Sequence, residues 1–156
     1  MTATNVDDKE PILDRVYELA FDYERRYGSC PQCVLAAVKD VLDVGTDDLF
    51  KAAHALTAGG ALTTKGTCGA LAGAMMLVST RHGRARADFA NDSYRECFAL
   101  SRGVFDAFVE EFGSPICADV QTKMFGRSYD MWDRNEFKAF LTDGGHEDKC
   151  THVVGT

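Results

Sequence analysis

Apolar positions recur every three or four residues through most of this chain, which is the spacing of one face of an α-helix. The clearest stretch runs from Ile12 to Tyr23 and predicts a first helix that begins near Pro11. The same spacing predicts helices over 31–42, from Thr46 to 56, over 68–81, from a cap at 91–93 to about 112, over 115–125 and over 133–141. Strand signals are scarce and no βαβ alternation is visible. The pattern therefore predicts an all-α, single-domain bundle of five to seven helices spanning 1–156.

Three segments fall outside the helical pattern. Residues 1–8 are polar and acidic and are expected to be a flexible N-terminus. Residues 58–66 hold three glycines and are expected to form a loop. The tail 142–156 contains Gly144-Gly145 and is expected to be irregular, with at most a final turn near Cys150.

Charge and composition exclude some partners. The chain of 156 residues has 24 acidic and 17 basic residues and a net charge of −7. This argues against binding to nucleic acid or an anionic membrane, because both require a basic face. No signal sequence is visible at the N-terminus, and the longest apolar run, 68–78, is too short to span a bilayer. We expect a cytoplasmic protein, in which cysteines more often bind metals or react than form disulfides.

Three of the six cysteines lie where predicted helices begin, namely Cys33, Cys68 and Cys117. A capping residue or a proline precedes or adjoins each of them. The free N–H groups and partial positive charge of a helix N-terminus favour a thiolate over a thiol. Since thiolates carry out redox chemistry and bind soft metals, these positions predict a redox or metal site, and Cys117 is a candidate for a thiol of low pKa.

Cys30 and Cys33 form a CxxC pair that has several interpretations. Covalent haem attachment would require a histidine directly after Cys33, where the chain has Val34. The strand that precedes a thioredoxin-like pair is also missing. Metal binding by one or both thiols, a dithiol that cycles with a disulfide, and two merely buried thiols all remain open.

The remaining cysteines differ in their surroundings. Cys68 opens the segment CGALAG, whose two glycines would suit either a site or close helix packing. Cys150 lies in a polar tail between His146 and His152, which are weaker ligand candidates. Cys97 falls inside the fifth predicted helix and is expected to be a small buried apolar residue. The candidate redox-active thiols are Cys30, Cys33, Cys68, Cys117 and Cys150, and no other catalytic residue is assigned.

These elements resemble a family of redox-active proteins of about this length, which carries four hallmark cysteines and a CGAxxG motif (C_GCAxxG_C_C). The motif corresponds to residues 68–73, and the other hallmark cysteines correspond to Cys33, Cys117 and Cys150. The order and spacing of the four elements match from about residue 12 to 155. A similar domain is attached to the split-Soret cytochrome, where it is associated with an iron–sulfur centre.

The resemblance implies that Cys33, Cys68, Cys117 and Cys150 bind an iron–sulfur cluster or another thiolate-bound metal and pass electrons to a partner protein. Zinc at the same ligands would give a structural site without redox activity. A metal-free thiol–disulfide oxidoreductase and a helical module whose thiols only pack are the alternatives. The sequence leaves open whether the protein is an enzyme and whether it forms a homodimer.

Overall fold

A computed structural model of the chain describes residues 9–90 and 95–156, and these residues are almost entirely helical. Its α-helices are α1 (Lys9–Tyr27), α2 (Cys30–Leu42), α3 (Asp47–Ala53), α4 (Gly69–His82), α5 (Arg95–Phe112), α6 (Cys117–Phe125), α7 (Arg134–Thr142) and α8 (Cys150–Gly155). The described part contains no β-strand, only one isolated bridge. The predicted all-α class is confirmed, with eight helices in the described residues instead of five to seven.

Two helix starts follow from capping chemistry in the sequence. The Thr46 side chain accepts a hydrogen bond from the Leu49 N–H at the start of α3, and Asp133 accepts two at the start of α7. Both satisfy N–H groups that a helix end leaves free. The cap expected at 91–93 and the flexible segment expected at 1–8 lie outside the described residues.

The expectation of an irregular tail is wrong. A π-helical turn, Gly145–Lys149, leads into α8, and the side chains of Val153 and Val154 are buried. The helix α8 packs against α1, where Gly155 lies close to the Tyr17 ring. A helix of six residues has little stability of its own, so this tertiary packing is what forms it.

The apolar core consists of two clusters. The first joins α1, α2, α4 and α8 and includes Ala20, Val34 and Val153. The second lies around Tyr129 and Phe140, between α6 and α7. Both clusters contain cysteines, and thiols from each line a cavity between the two clusters. Among the described helices, none combines the length and apolar character needed to cross a membrane.

Candidate functional site

Four of the six cysteines line one cavity of about 250 Å³, and each marks the start of a different helix. Cys30, Cys117 and Cys150 are the first residues of α2, α6 and α8, and Cys68 is the residue directly before α4. The arrangement therefore brings four helix beginnings, distant in sequence, around one cavity.

Backbone hydrogen bonds hold two of these helix starts together. An isolated antiparallel bridge joins the segment before α4 to the segment before α6. Next to it, the Cys68 N–H donates to the Pro115 carbonyl at 2.7 Å, and the Cys117 N–H donates to the Gly66 carbonyl at 3.0 Å. These bonds hold the main chain of Cys68 and Cys117 side by side, so both residues enter the cavity from neighbouring backbone.

The two glycines of the CGALAG segment allow α4 to approach α2. A Cβ atom on Gly69 would lie 2.8 Å from the Cys30 Sγ and 2.7 Å from the Pro31 Cδ. A Cβ atom on Gly73 would lie 2.9 Å from the Pro31 carbonyl oxygen. Such distances are too short for real contacts, so both positions require glycine. The motif therefore contributes to both helix packing and the site, because the close approach of α4 to α2 places Cys68 beside Cys30.

Cys33, which the sequence analysis assigned to the site, does not line this cavity. It lies one turn further along α2, is buried, and its thiol donates to the Gly28 carbonyl at 2.9 Å. Cys30 takes its place at the cavity. Cys97 also lies elsewhere, in α5, with its sulfur 3.6 Å from the Ser79 hydroxyl.

A carboxylate that the sequence analysis did not single out lies in the same cavity. Glu24 is only 2% exposed, its Oε1 is 3.7 Å from the His146 Nε2, and its Oε2 is buried with no hydrogen-bond partner in the described part of the chain. The available signal was its place on the apolar face of the first helix, four residues after Ala20. His146 also lines the cavity, whereas His152 contacts the Tyr17 hydroxyl instead.

The thiols at α4 and α6 are neutral at physiological pH. Burial raises the pKa of Cys68 to about 11, although the N–H groups of Ala70 and Leu71 oppose the shift. Burial, with a smaller contribution from Cys68, raises the pKa of Cys117 to about 12. The expectation of a low pKa for Cys117 is therefore wrong, because desolvation of the charge exceeds the effect of the helix N-terminus.

The pKa values of four more groups that line the cavity are also shifted toward the neutral form. Burial, followed by the charge of Glu24, raises the pKa values of Cys30 and Cys150 well above the ordinary value for a thiol. Burial also raises the pKa of Glu24 to about 7 and lowers that of His146. Each of these shifts favours the neutral form, as expected where water is largely excluded.

The thiols surround a space instead of meeting at one point. All six cysteines are free. Within 9–90 and 95–156, no three histidine, cysteine, aspartate or glutamate side chains are arranged to hold a metal ion. The donor set around the cavity is nonetheless rich in soft sulfur, which suits iron–sulfur clusters, zinc and copper(I). The arrangement can support either metal binding with several atoms in the cavity or chemistry of the thiols themselves.

Comparison with known proteins identifies the family. Residues 8–156 match the model of the family described as "Putative redox-active protein (C_GCAxxG_C_C)". The chain belongs to this family, as the four hallmark cysteines and the CGAxxG segment predicted. No curated protein and no solved structure matches the chain.

Proposed function

We propose that this member of the four-cysteine redox-active family binds an iron–sulfur cluster through Cys30, Cys68, Cys117 and Cys150. The observation that carries the proposal is the cavity lined by four thiols from four helix starts. Cysteine thiolates are the usual ligands of such clusters, and four is the usual number. A bound cluster would supply one-electron transfer, in agreement with the redox description of the family.

The chain itself would supply the ligands and control their charge. Metal binding requires deprotonated thiols, so loading this site releases protons. The raised pKa values keep the thiols neutral until metal arrives. Hydrogen bonds from the Ala70 and Leu71 N–H groups stabilise the sulfur of Cys68 once it is charged. Such bonds to sulfur are one of the factors that set the reduction potential of a cluster.

The geometry favours a group of several atoms over a single zinc ion. Zinc in a structural site takes four ligands, with each sulfur about 2.3 Å from one centre. Here the thiols line a cavity of about 250 Å³, and no three ligand side chains of the described residues are arranged around one ion. A cluster occupies such a space with its own iron and sulfide atoms.

Metal-free thiol–disulfide exchange has less support. The attacking species in that reaction is a thiolate, and its rate depends on the fraction of thiolate present. Burial leaves very little thiolate at Cys68 or Cys117 near pH 7. The thiol of Cys33 is also shifted upward in pKa, first by burial and then by the charge of Glu24.

The rim of the cavity offers a place where a redox partner can approach. Tyr27 and Phe137 both line the cavity, and they are 73% and 37% exposed. Aromatic side chains are enriched at protein interfaces. We propose that the electron passes to a partner protein across this rim.

Anaerobic purification followed by visible absorption and assays of iron, zinc and acid-labile sulfide tests the proposal. We expect coloured protein with iron and sulfide in similar amounts. Cys30→Ser should lose most of both, whereas the matched variant Cys33→Ser, one turn along the same helix, and Cys97→Ser should keep them. Colourless wild-type protein free of iron would overturn the proposal. If Cys33→Ser loses the iron and sulfide while Cys30→Ser keeps them, the ligand set expected from the sequence, with Cys33 in place of Cys30, is the correct one.

A further inference from the structure

We infer that the hydroxyl groups of Ser29 and Thr57 form a positioning pair, which holds the Ala58 N–H on the sulfur of Cys30 and thereby raises the reduction potential of the bound centre. The inference rests on the proposed function, because it concerns one of the four cysteines assigned there. It adds no ligand to the centre. It gives a role to the segment that precedes α4, which the sequence predicted only as a loop.

The main chain of Ala58 supplies a hydrogen-bond donor at the cavity. Ala58 lines the cavity together with Cys30 and is 6% exposed. Its carbonyl accepts a hydrogen bond from the Thr64 N–H at 2.8 Å, but no carbonyl of the described residues accepts one from its own N–H. Buried N–H groups are almost always paired, because an unpaired one costs about as much as a lost hydrogen bond. The acceptor is the Cys30 sulfur, since this N–H opposes the burial that raises the pKa of the Cys30 thiol.

The backbone on both sides of this contact is left-handed. Ala58 has a φ of 49°, and Ser29, which directly precedes Cys30, has a φ of 69°. Such values are uncommon for residues other than glycine, because the Cβ atom crowds the backbone. They persist only where surrounding contacts hold them, and they concentrate at functional sites. The donor side and the acceptor side of one N–H···S contact therefore both need a contact that holds them in place.

The hydroxyl groups of Ser29 and Thr57 supply that contact. Their oxygen atoms are 2.9 Å apart, although the residues lie 28 positions apart in the chain. The Thr57 hydroxyl donates to the His54 carbonyl at 2.7 Å, so the Ser29 hydroxyl is the donor within the pair. Ser29 is the neighbour of the residue that carries the sulfur, and Thr57 is the neighbour of the residue that carries the N–H. The pair therefore fixes the donor relative to its acceptor.

A hydrogen bond to a ligand sulfur favours the reduced form of the centre. Reduction adds negative charge to the cluster and its thiolates, and an N–H donor stabilises the larger charge more strongly. The N–H groups of Ala70 and Leu71 act in the same sense on Cys68. Breaking the hydroxyl pair should release the Ala58 N–H from the Cys30 sulfur and so lower the reduction potential.

The test is a potentiometric titration of the protein after anaerobic reconstitution with iron and sulfide, followed by visible absorption. Thr57→Val removes the hydroxyl with little change of shape, whereas Thr57→Ser keeps it. The matched control is Thr63→Val, which removes a hydroxyl of the same loop that donates to the Gly59 carbonyl instead. At a fixed solution potential, the ratio of reduced to oxidised centre should fall on the order of 10-fold in Thr57→Val, which is about 59 mV for one electron. It should stay at the wild-type value in Thr57→Ser and in Thr63→Val.

Two further measurements separate positioning from a general loosening of the loop. In the metal-free protein, hydrogen exchange of the Ala58 amide, followed by nuclear magnetic resonance, should be faster in Thr57→Val than in wild type or Thr63→Val. Ser29→Ala removes the other hydroxyl of the pair and should lower the potential by a similar amount. Because both changes break the same contact, the double variant should shift the potential no further than either single variant.

The outcomes distinguish failure of this inference from failure of the proposed function. If wild type takes up no iron, the proposed function fails and this inference fails with it. If wild type holds a cluster but Thr57→Val keeps the wild-type potential, or Thr63→Val shifts it equally, the positioning role alone is wrong. Additive shifts in the double variant lead to the same conclusion. Should Thr57→Val not fold, as judged by circular dichroism, Ser29→Ala must show the lowered potential by itself.

Discussion

Replacing Gly73 by alanine tests the packing of α4 on α2 that brings Cys68 beside Cys30. Gly73 is buried in the interior of α4, and a new Cβ would lie 2.9 Å from the Pro31 carbonyl oxygen and 3.1 Å from its Cα. These are backbone atoms, which cannot turn aside as a side chain would. Overpacking of this kind typically costs about 1–3 kcal/mol.

The matched control is Gly103→Ala in α5. Gly103 is exposed within its helix, and a Cβ there would meet nothing within 4 Å. Both substitutions gain the higher helix propensity of alanine, which is about 1 kcal/mol. Gly103→Ala should therefore be more stable than wild type by about that amount. The gain in helix propensity is common to both variants, so it cancels when their free energies of unfolding are subtracted and only the packing cost remains. Gly73→Ala should therefore be about 1–3 kcal/mol less stable than Gly103→Ala.

Urea unfolding of the metal-free protein, followed by far-ultraviolet circular dichroism, measures this difference. With a typical slope of about 1–3 kcal/mol per molar urea, the two midpoints should differ by on the order of 1 M. Equal midpoints at equal slopes would refute the close approach of α4 to α2. Iron content after reconstitution gives a second readout, which should fall in Gly73→Ala and stay at the wild-type level in Gly103→Ala.

Three further predictions concern single groups. In the metal-free protein the folded state keeps the Glu24 proton up to about pH 7, whereas the unfolded carboxyl loses it near 4.5. The stability from this group is therefore present below pH 4.5 and falls by about 3 kcal/mol as pH rises through 7. In urea unfolding, the free energy of unfolding of Glu24→Gln relative to that of wild type should increase by this amount between pH 4.5 and 8. A difference between the two proteins that does not change with pH would contradict the prediction. Because the pKa of Cys68 is about 11, iodoacetamide should label this thiol at pH 8 roughly 100-fold more slowly than an ordinary thiol, and the labelling rate should still rise above pH 10. Peptide mass mapping measures the rate, and a rate that levels off near pH 9 would contradict the prediction. Asp133→Ala should lower the unfolding free energy by about 1 kcal/mol through loss of the α7 cap, and an unchanged urea midpoint would show that the cap contributes nothing.

The helices α1 to α7 could be predicted from the sequence because their apolar positions recur at helical spacing, and Thr46 and Asp133 mark two starts by local capping alone. The helix α8 could not, because packing against α1 is what forms it. The choice between Cys30 and Cys33 could not be predicted in this way. Three residues apart, they share one face of a helix, and the entry of the chain into α2 decides which sulfur reaches the cavity. That entry uses left-handed backbone at Gly28 and at Ser29, and positive φ at a serine leaves no reliable sign in the sequence.

The burial of the thiols itself favours a metal centre over exchange chemistry. Oxidation and mixed-disulfide formation both require a thiolate that solvent or another protein can reach. Cys68 and Cys117 are each no more than 6% exposed, and their pKa values are raised to about 11 and 12. Such residues do not suit a dithiol catalyst, because little thiolate is present and solvent hardly reaches it. A metal site benefits from them, because neutral, shielded thiols resist oxidation while empty and lose their protons when iron compensates the charge. The apparent affinity for iron should accordingly rise with pH across the neutral range, and competition with a chelator at two pH values measures it. An affinity that does not change with pH would show that the thiols are not the ligands.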